Sequence, residues 1–89
     1  MRAVITVIGK DGKGIIAKVS GACCEYGVNI CDITQSVLQE YFAMIMLADC
    51  AELTIPFTDF SEKMAALGEA NGLEIRTMHE DIFNSMHKI

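Results

Sequence analysis

An apolar stretch followed by three closely spaced glycines is the feature that most constrains this chain. Residues 3–8 read Ala-Val-Ile-Thr-Val-Ile, are rich in β-branched side chains, and predict a strand in the middle of a sheet. Gly9, Gly12 and Gly14 then end the strand. From Gly14 to Tyr26 the apolar residues recur every three or four positions, which predicts an amphipathic helix. The chain therefore begins with a strand, a glycine-rich turn and a helix.

The glycine-rich turn has two interpretations. The free N–H groups of the helix's first turn, together with the helix dipole, can hold a carboxylate or a phosphate. Alternatively, Asp11 accepts hydrogen bonds from nearby backbone amides and the glycines only shape the turn. The spacing Gly-Lys-Asp-Gly-Lys-Gly over residues 9–14 matches neither glycine motif of nucleotide-binding proteins, so we predict no nucleotide site.

Two further strands form a predicted hairpin. Gly27 is placed to end the first helix, and residues 28–38 then alternate as a second strand. One face of that strand carries Cys31, Ile33 and Val37, whereas the other is polar, so one face should be less buried. Residues 39–41 form a short polar break, and residues 42–48, apolar on both faces, predict a central strand.

The last part of the chain predicts a helix, a strand and a second short helix. Thr58 is the predicted N-cap of a helix of about 13 residues, whose inward stripe is Phe60, Met64 and Leu67. Residues 73–78 alternate strictly as a fourth strand. In residues 79–89 the apolar positions recur at helical spacing, and an isolated helix this short has to dock on its own sheet or on a partner. The apolar positions are Ile82, Phe83, Met86 and Ile89.

This order of elements predicts the fold class. Strand, helix, strand, strand, helix, strand is the α+β, ferredoxin-like βαββαβ sandwich, with a four-stranded antiparallel sheet and two helices on one face. We predict a single domain over residues 1–89, with a core at residues 1–79 and a C-terminal amphipathic helix at residues 80–89. A chain of 89 residues buries a limited fraction of its surface, so dimerisation would stabilise it.

Composition excludes several classes of function. A net charge of −5 with scattered basic residues argues against nucleic acid or an anionic lipid surface as a partner. No apolar run approaches the length of a membrane span, and the N-terminus lacks the pattern of a secretory signal, so we expect a cytoplasmic protein. The cysteines lie in helix or strand patterns and are expected to be reduced core residues. They are Cys23, Cys24, Cys31 and Cys50.

No catalytic or metal-binding arrangement is apparent. The first loop contains no cysteine pair, and His79 and His87 do not have metal-ligand spacing, so both are interpreted as surface or cap residues. No nucleophile stands beside a base, and no pair of carboxylates is placed for acid–base chemistry. The sequence therefore predicts a protein that is not an enzyme and that needs no metal or other cofactor.

Three segments carry a resemblance to a known family. Residues 11–17 read Asp-Gly-Lys-Gly-Ile-Ile-Ala, residues 27–30 read Gly-Val-Asn-Ile, and residues 32–35 read Asp-Ile-Thr-Gln. In these segments the chain resembles an ACT domain, the small regulatory module attached to many enzymes of amino-acid metabolism. More narrowly, it resembles the small stand-alone ACT proteins of bacteria, the UPF0237-like group of unknown function. The resemblance covers essentially the whole chain.

The resemblance implies a function and a site. It implies a homodimer or higher homo-oligomer, paired through the second strand and first helix, that holds an amino acid where the first loop of one subunit meets the second strand of the next. On the matching positions the implied ligand-binding residues are Asp11, Gly12, Lys13, Gly14, Ile15, Asn29 and Ile30. The expected function is a non-catalytic regulatory module that signals to an unidentified protein partner. The alternative is a protein-interaction adaptor with a vestigial pocket, which binds through its tail helix or exposed sheet face.

Overall fold

The structure is a computed structural model that describes residues 1–10 and 13–87. Four strands and three helices follow one another along the chain. In order they are β1 (Arg2–Gly9), α1 (Ile15–Glu25), β2 (Asn29–Leu38), β3 (Tyr41–Asp49), α2 (Phe57–Ala70), β4 (Glu74–His79) and α3 (Glu80–Met86).

The strands form one antiparallel sheet in the order β2-β3-β1-β4. β1 lies in the interior, where it pairs with β3 on one side and β4 on the other. The apolar strand predicted at residues 42–48 is the other interior strand, β3, as its sequence indicates. The chain therefore has the ferredoxin-like βαββαβ arrangement, with α3 added at the end.

The hydrophobic core lies between the sheet and the two helices α1 and α2. Alternate residues of β1 and β3 point into it, because successive side chains of a strand face opposite sides of the sheet. The helices contribute residues spaced three or four apart. This agrees with the predicted stripes, except that Leu67 is only partly buried and Ile16, which belongs to the apolar pattern of α1, is exposed. The largest fully buried side chains are Phe60, Ile5, Ile15, Met44, Met46, Met64, Val7 and Val19.

The opposite face of the sheet, here called the open face, is covered by α3 alone among the described elements. This helix packs on β1 and β4, and Nη2 of Arg2 lies 2.7 Å from Oε2 of Glu80 at its first turn. Nδ1 of His79 accepts a hydrogen bond of 3.1 Å from the N–H of Asp81, so His79 is the N-cap, in agreement with its predicted role. The helix ends at Met86, earlier than predicted, and Lys88 and Ile89 lie outside the described residues.

The predicted N-cap of the second helix was wrong. α2 begins at Phe57, and its N-cap is Pro56, whose backbone is extended with φ −57° and ψ 145°. The carbonyl of Pro56 accepts a hydrogen bond of 3.0 Å from the N–H of Phe60, which starts the helix two residues before the predicted position. Thr58 therefore lies in the first turn, with its side chain exposed. The fixed φ of proline suits this position, where a missing N–H costs nothing.

The prediction that all the cysteines lie in the core was right for two of them. Cys23 and Cys50 are buried free thiols, whereas Cys24 and Cys31 are exposed. Cys24 follows Cys23 on α1 and so points about 100° away from the core-facing side of that helix. Cys31 lies at an irregularity of the edge strand β2, between Ile30 and Asp32, where no helix covers it.

Gly27 joins α1 to β2 at a point where only glycine fits. Its φ is +76°, in the left-handed region, and a Cβ on it would collide with the carbonyl oxygen of Glu52. The same junction is tied together by the N–H of Thr54, which donates a hydrogen bond of 3.0 Å to the carbonyl of Tyr26. The close approach holds the loop after β3 against the beginning of β2.

Replacing Gly27 by alanine should destabilise the protein by more than about 2 kcal/mol, because a left-handed conformation and a backbone collision act together. Gly21→Ala is the matched control: Gly21 lies inside α1, and an added Cβ would have no neighbour within 4 Å. This control should raise the free energy of unfolding by about 0.5–1 kcal/mol. Urea unfolding at equal protein concentration measures both values, and equal effects of the two variants would contradict the role assigned to Gly27.

Candidate functional site

The first half of the predicted site is the turn between β1 and α1. Gly14 is the N-cap of α1, with φ +73°, and its carbonyl accepts a hydrogen bond of 3.2 Å from the N–H of Lys18. Lys13 is exposed, whereas the Ile15 side chain is buried in the core. Ile15 can therefore offer a ligand only its backbone N–H. The two other predicted residues of this turn, Asp11 and Gly12, lie outside the described residues.

The second half of the predicted site is the beginning of β2. Asn29 is exposed and stands opposite Asp49 of β3, while Ile30 packs against the hydrophobic core. Within the described part of the chain, the Asn29 side chain makes no hydrogen bond, so its amide keeps both a donor and an acceptor available. Like Ile15, Ile30 has its side chain packed against the core and does not present it to a ligand.

A β-bulge between Ile30 and Asp32 sets this geometry. From Asp32 to Leu38 the partners on β3 follow the register of the tight hairpin, but before the bulge the register shifts by one residue. The shift places Ile30 opposite the buried Ala48, with its side chain toward the core. An unbroken ladder would have turned Ile30 to the other face of the sheet.

A cleft of about 330 Å³ lies at the same end of the sheet. Asp49 and Glu52 place two carboxylates beside Asn29 there, and Oδ1 of Asp49 also accepts a hydrogen bond of 2.9 Å from the N–H of Ala51. The cleft is lined by Gly27, Asn29, Asp49, Ala51 and Glu52. Neither acidic residue was predicted from the sequence as part of the site. Counting the hairpin register back from residues 39–40 brings Asn29 next to Asp49 and Cys50, and this signal could have found Asp49 but not Glu52.

Within one protomer the two halves of the site lie at opposite ends of the sheet. The glycine-rich turn follows Gly9, which pairs with Phe42 at one end of β3, whereas Asn29 pairs with Asp49 at the other end. Asp49 lies seven residue steps along β3 from Phe42, which corresponds to about 23 Å. Among the described residues, the predicted site residues Lys13–Ile15 and Asn29–Ile30 are therefore not brought together in a single chain.

β2 is an edge strand with little cover on either face. All of its residues from Cys31 to Leu38 are exposed, and α1 makes few contacts with it. Ile33 and Val37 stand opposite the buried Met46 and Phe42, on the helix side of the sheet, yet Val37 is 72% exposed. The outer edge of β2 also has no strand beside it in the described sheet. An uncovered apolar edge of this kind favours pairing with another chain.

The buried thiols lie close to the Asn29 end of the sheet. Burial raises the pKa of Cys23 from 9.0 to about 11, and the nearby Cys50 thiol adds to the shift. Burial also raises the pKa of Cys50, with Asp49 and Cys31 contributing and the N-terminal ammonium acting in the opposite direction. Both groups are therefore neutral thiols near pH 7, and they behave as core residues rather than as nucleophiles.

The fold and these features together define a small α+β module: a ferredoxin-like sheet with a glycine-rich turn before α1 and an uncovered edge at β2. The ACT domain family model matches residues 2–77. The chain belongs to the ACT domain family, whose members are generally regulatory and ligand-binding, and commonly oligomerise. This membership suggests a non-catalytic module, as predicted.

Relatives that match over the whole chain identify the group within the ACT domain family. The chain is 48% identical to a UPF0237 protein of Clostridium perfringens and 43% identical to one of Listeria monocytogenes, in both cases over 89 residues that cover 100% of each chain. An ACT domain protein from Streptococcus pneumoniae has the same fold, with a TM-score of 0.83, 41% identity and 98% of each chain covered. The resemblance to UPF0237-like ACT proteins is thus confirmed. Among residues 1–10 and 13–87, no helix is long and apolar enough to cross a membrane.

The buried thiols give a test of this end of the sheet. At pH 8 Cys23 and Cys50 should be alkylated at least ten times more slowly than Cys24, because their raised pKa values and burial keep them protonated and covered. The stabilisation that comes from burying the neutral Cys23 thiol should be complete below pH 9 and lost as the pH rises through about 11. Mass spectrometry of iodoacetamide adducts measures the rates, and urea should equalise them. Equal rates in the native protein would contradict the burial of Cys23 and Cys50.

Proposed function

We propose that the protein is a homodimeric regulatory module that binds a small amino acid or similar metabolite between its subunits and passes that state to a protein partner. The observation that carries the proposal is the separation of the two half-sites, Lys13–Ile15 and Asn29, at opposite ends of one sheet. A site split in this way is incomplete in one chain. It becomes complete only if a second copy supplies the missing half.

Antiparallel pairing of β2 with β2 of a second copy supplies that half. In a twofold arrangement each strand runs opposite to its mate, so Asn29 of the partner subunit arrives at the end of the sheet where Leu38 and the glycine-rich turn lie. The pairing also gives hydrogen-bond partners to the outer edge of β2 and covers Ile33 and Val37. One contact therefore accounts for the exposed edge and joins the split site.

The chemistry of the two halves suits a zwitterion. Backbone N–H groups at the beginning of α1 can bind a carboxylate, and Gly14 has no side chain with which to cap them. Asp11 can meet an ammonium group, as can Asp49 and Glu52 beside Asn29. The Asn29 amide offers a donor and an acceptor to the same ligand. A small amino acid carries both charges.

Such a ligand can regulate a partner only through different affinities for two states of the protein. The subunit interface is the natural place for that difference, because the ligand would contact both chains and bias their relative position. A second candidate function, that of a protein-interaction adaptor, is favoured by one observation. Apolar side chains stay exposed on the open face, which this dimer does not cover.

The dimer is tested by Val37→Asp. A charge on the helix side of the β2 edge should shift the protein from dimer to monomer at micromolar concentration, because the pairing would bury it without a partner. Ala66→Asp is the matched control, since it adds the same charge to an exposed position of α2. Sedimentation velocity measures the masses. A wild-type monomer at micromolar concentration, or a Val37→Asp dimer, would overturn the proposed interface.

The split site is tested by subunit mixing. The ligand is first sought by thermal unfolding with each of the twenty amino acids at millimolar concentration, since binding to the native state stabilises it. Asp11→Ala and Asn29→Ala should each abolish the selective shift. When the two variants are unfolded together and refolded, half of the dimers are mixed, and each mixed dimer regains one intact site, so binding should return to about a quarter of the sites.

The ligand screen and the mixing experiment together distinguish the two candidate functions. Calorimetric titration of the refolded mixture measures the number of sites. No recovery of binding would show that Asp11 and Asn29 do not act across an interface. No stabilisation of the wild-type protein by any amino acid would favour the adaptor.

A further inference from the structure

The open face of the sheet carries an apolar trough beside α3. The floor of this trough is formed by Ile45 and Leu47 of β3, and one wall by Phe83 and Met86 of α3, with Ile8 of β1 between floor and wall. A cleft of about 500 Å³ runs from α3 to Ile45, and a second of about 110 Å³ continues from Ile45 to Asp32 on β2. The two clefts share Ile45, so the trough extends from α3 to the edge of the sheet.

The trough is apolar but uncovered. Ile8 is 52% exposed, Ile45 47%, and Met86 66%. Ile82, one turn before Met86, is also exposed, so exposed apolar side chains continue along α3. Contiguous exposed apolar side chains on floor and wall together mark an interaction surface rather than scattered surface residues.

The width of the trough follows from the dimer of the proposed function, on which this step rests. When the β2 strands of the two subunits pair across the twofold axis, the two troughs form one floor. This floor is made of β3 and β2 from each subunit and is bounded by the two α3 helices. Four strands spaced about 4.8 Å apart span about 19 Å. An α-helix with its side chains is about 10 Å across. The floor therefore has room for two helices side by side, one per subunit.

A second copy of the dimer cannot supply those helices in a face-to-face pair of dimers. If the two dimers share the dimer axis, every α3 keeps its distance from that axis. Each α3 lies over β1 and β4, the strands farther from the axis, so it cannot reach the central floor. If the dimers do not share the axis, the contact is repeated from one dimer to the next and gives filaments or large rings. A helix of another protein occupies the floor without such an assembly.

Charge indicates the kind of helix. Asp32 lines the central part of the trough, Glu74 near the wall is already paired with Arg76 at 2.6 Å, and the chain carries a net charge of −5. A helix with basic residues beside its apolar stripe would be attracted to this surface, whereas an acidic helix would be repelled. A helix that binds in a groove uses apolar residues at positions i, i+3, i+4 and i+7 as anchors.

We propose that the trough binds one amphipathic helix of a partner protein per subunit, with the apolar stripe of that helix on Ile45 and Met86 and its basic flank toward Asp32. The partner helix would lie alongside α3. The floor spans the dimer interface, so the trough also gives the proposed ligand site a route to the partner.

The proposal is tested with three synthetic 18-residue peptides. The first has leucines at positions i, i+3, i+4 and i+7 among lysines, the second replaces lysine by glutamate, and the third scrambles the first so that the stripe is lost. Calorimetry with the wild-type protein at physiological salt should give saturable binding of the first peptide with one site per subunit. The other two should bind at least tenfold more weakly. No saturable binding of the first peptide, or equal binding of the three, would overturn the proposal.

Variants and methionine methyl signals locate the binding. Ile45→Glu and Met86→Glu should each weaken binding at least tenfold, whereas Ala66→Glu, on an exposed position of α2, should not. In NMR spectra of ¹³C-methyl methionine protein, Met78 and Met86, which line the larger cleft, should shift, and Met64 of the core should stay in place. Binding that survives Ile45→Glu, or shifts confined to Met64, would contradict the assignment. Circular dichroism establishes that each variant is folded.

Two other occupants of the trough, and a failure of the proposed function, would each give a different result. Filaments at high concentration that Ile45→Glu abolishes would assign the trough to a second copy. A variant ending at His87 that binds the first peptide at least tenfold more tightly would assign it to the chain's own end. A wild-type monomer in sedimentation would overturn the dimer but not peptide binding by each chain, whereas a dimer that fails to bind the peptide would overturn this proposal alone.

Discussion

The pairing of β1 on both of its edges holds the rest of the molecule in place. β1 pairs with β3 from Arg2 to Gly9 and with β4 from Ala3 to Ile8, so it joins the two halves of the fold. On the helix side, Ala3, Ile5 and Val7 are buried beneath α1 and α2; on the other side Val4 is buried as well. β1 is the first strand of the chain but an interior strand of the sheet, so α2 crosses over it between β3 and β4, while α1 crosses over β3 between β1 and β2. Crossovers of the same hand place both helices on one face.

The uncovered surfaces follow from the same arrangement. Two helices and one short tail helix cannot cover both faces of a four-stranded sheet, since each helix covers about two strands. α2 packs closely on β4, where Gly68 leaves no room for a Cβ against the carbonyl of Leu73, whereas α1 makes few contacts with β2. β2 is left exposed on both faces, and α3 covers only the β1 and β4 half of the open face. Both interaction surfaces proposed above are consequences of this shortage of cover.

Much of the fold could be predicted from the sequence because local patterns decide it. The β-branched run of β1, the left-handed Gly27 after α1 and the stripe of Phe60 and Met64 each fix one element through backbone preference or side-chain period. Where the patterns failed, a neighbouring residue competed for the same role. The Pro56 carbonyl accepts the first hydrogen bond of α2, so Thr58 lies inside the helix and does not cap it. Cys24 is of a residue type common in cores, but its position around the helix leaves it exposed.

The candidate site was less predictable because its geometry depends on distant residues. Gly14 and Asn29 are recognisable from the sequence, and a helix that runs between them along the sheet leaves them at opposite ends, but the residues that stand beside Asn29 follow from pairing across the sheet. The bulge before Asp32 is hidden in the sequence, although it decides that Ile30 faces the core and that Asn29 pairs with Asp49. Register of this kind is fixed by packing of the whole sheet, so the exact partner of Asn29 and the place of Glu52 beside it came to light only in the folded chain.

The junction between β4 and α3 has a mechanical consequence. β4 ends at His79 and α3 begins at Glu80, with no loop residue between them, and the His79 imidazole and the Arg2 guanidinium tie the first turn of the helix to the sheet. The helix is thus a stiff lever fixed to the strand that runs beside β1. A force that tilts α3 cannot be absorbed by a flexible linker, so it has to twist β4 and, through their shared ladder, the strand on which the whole sheet is built.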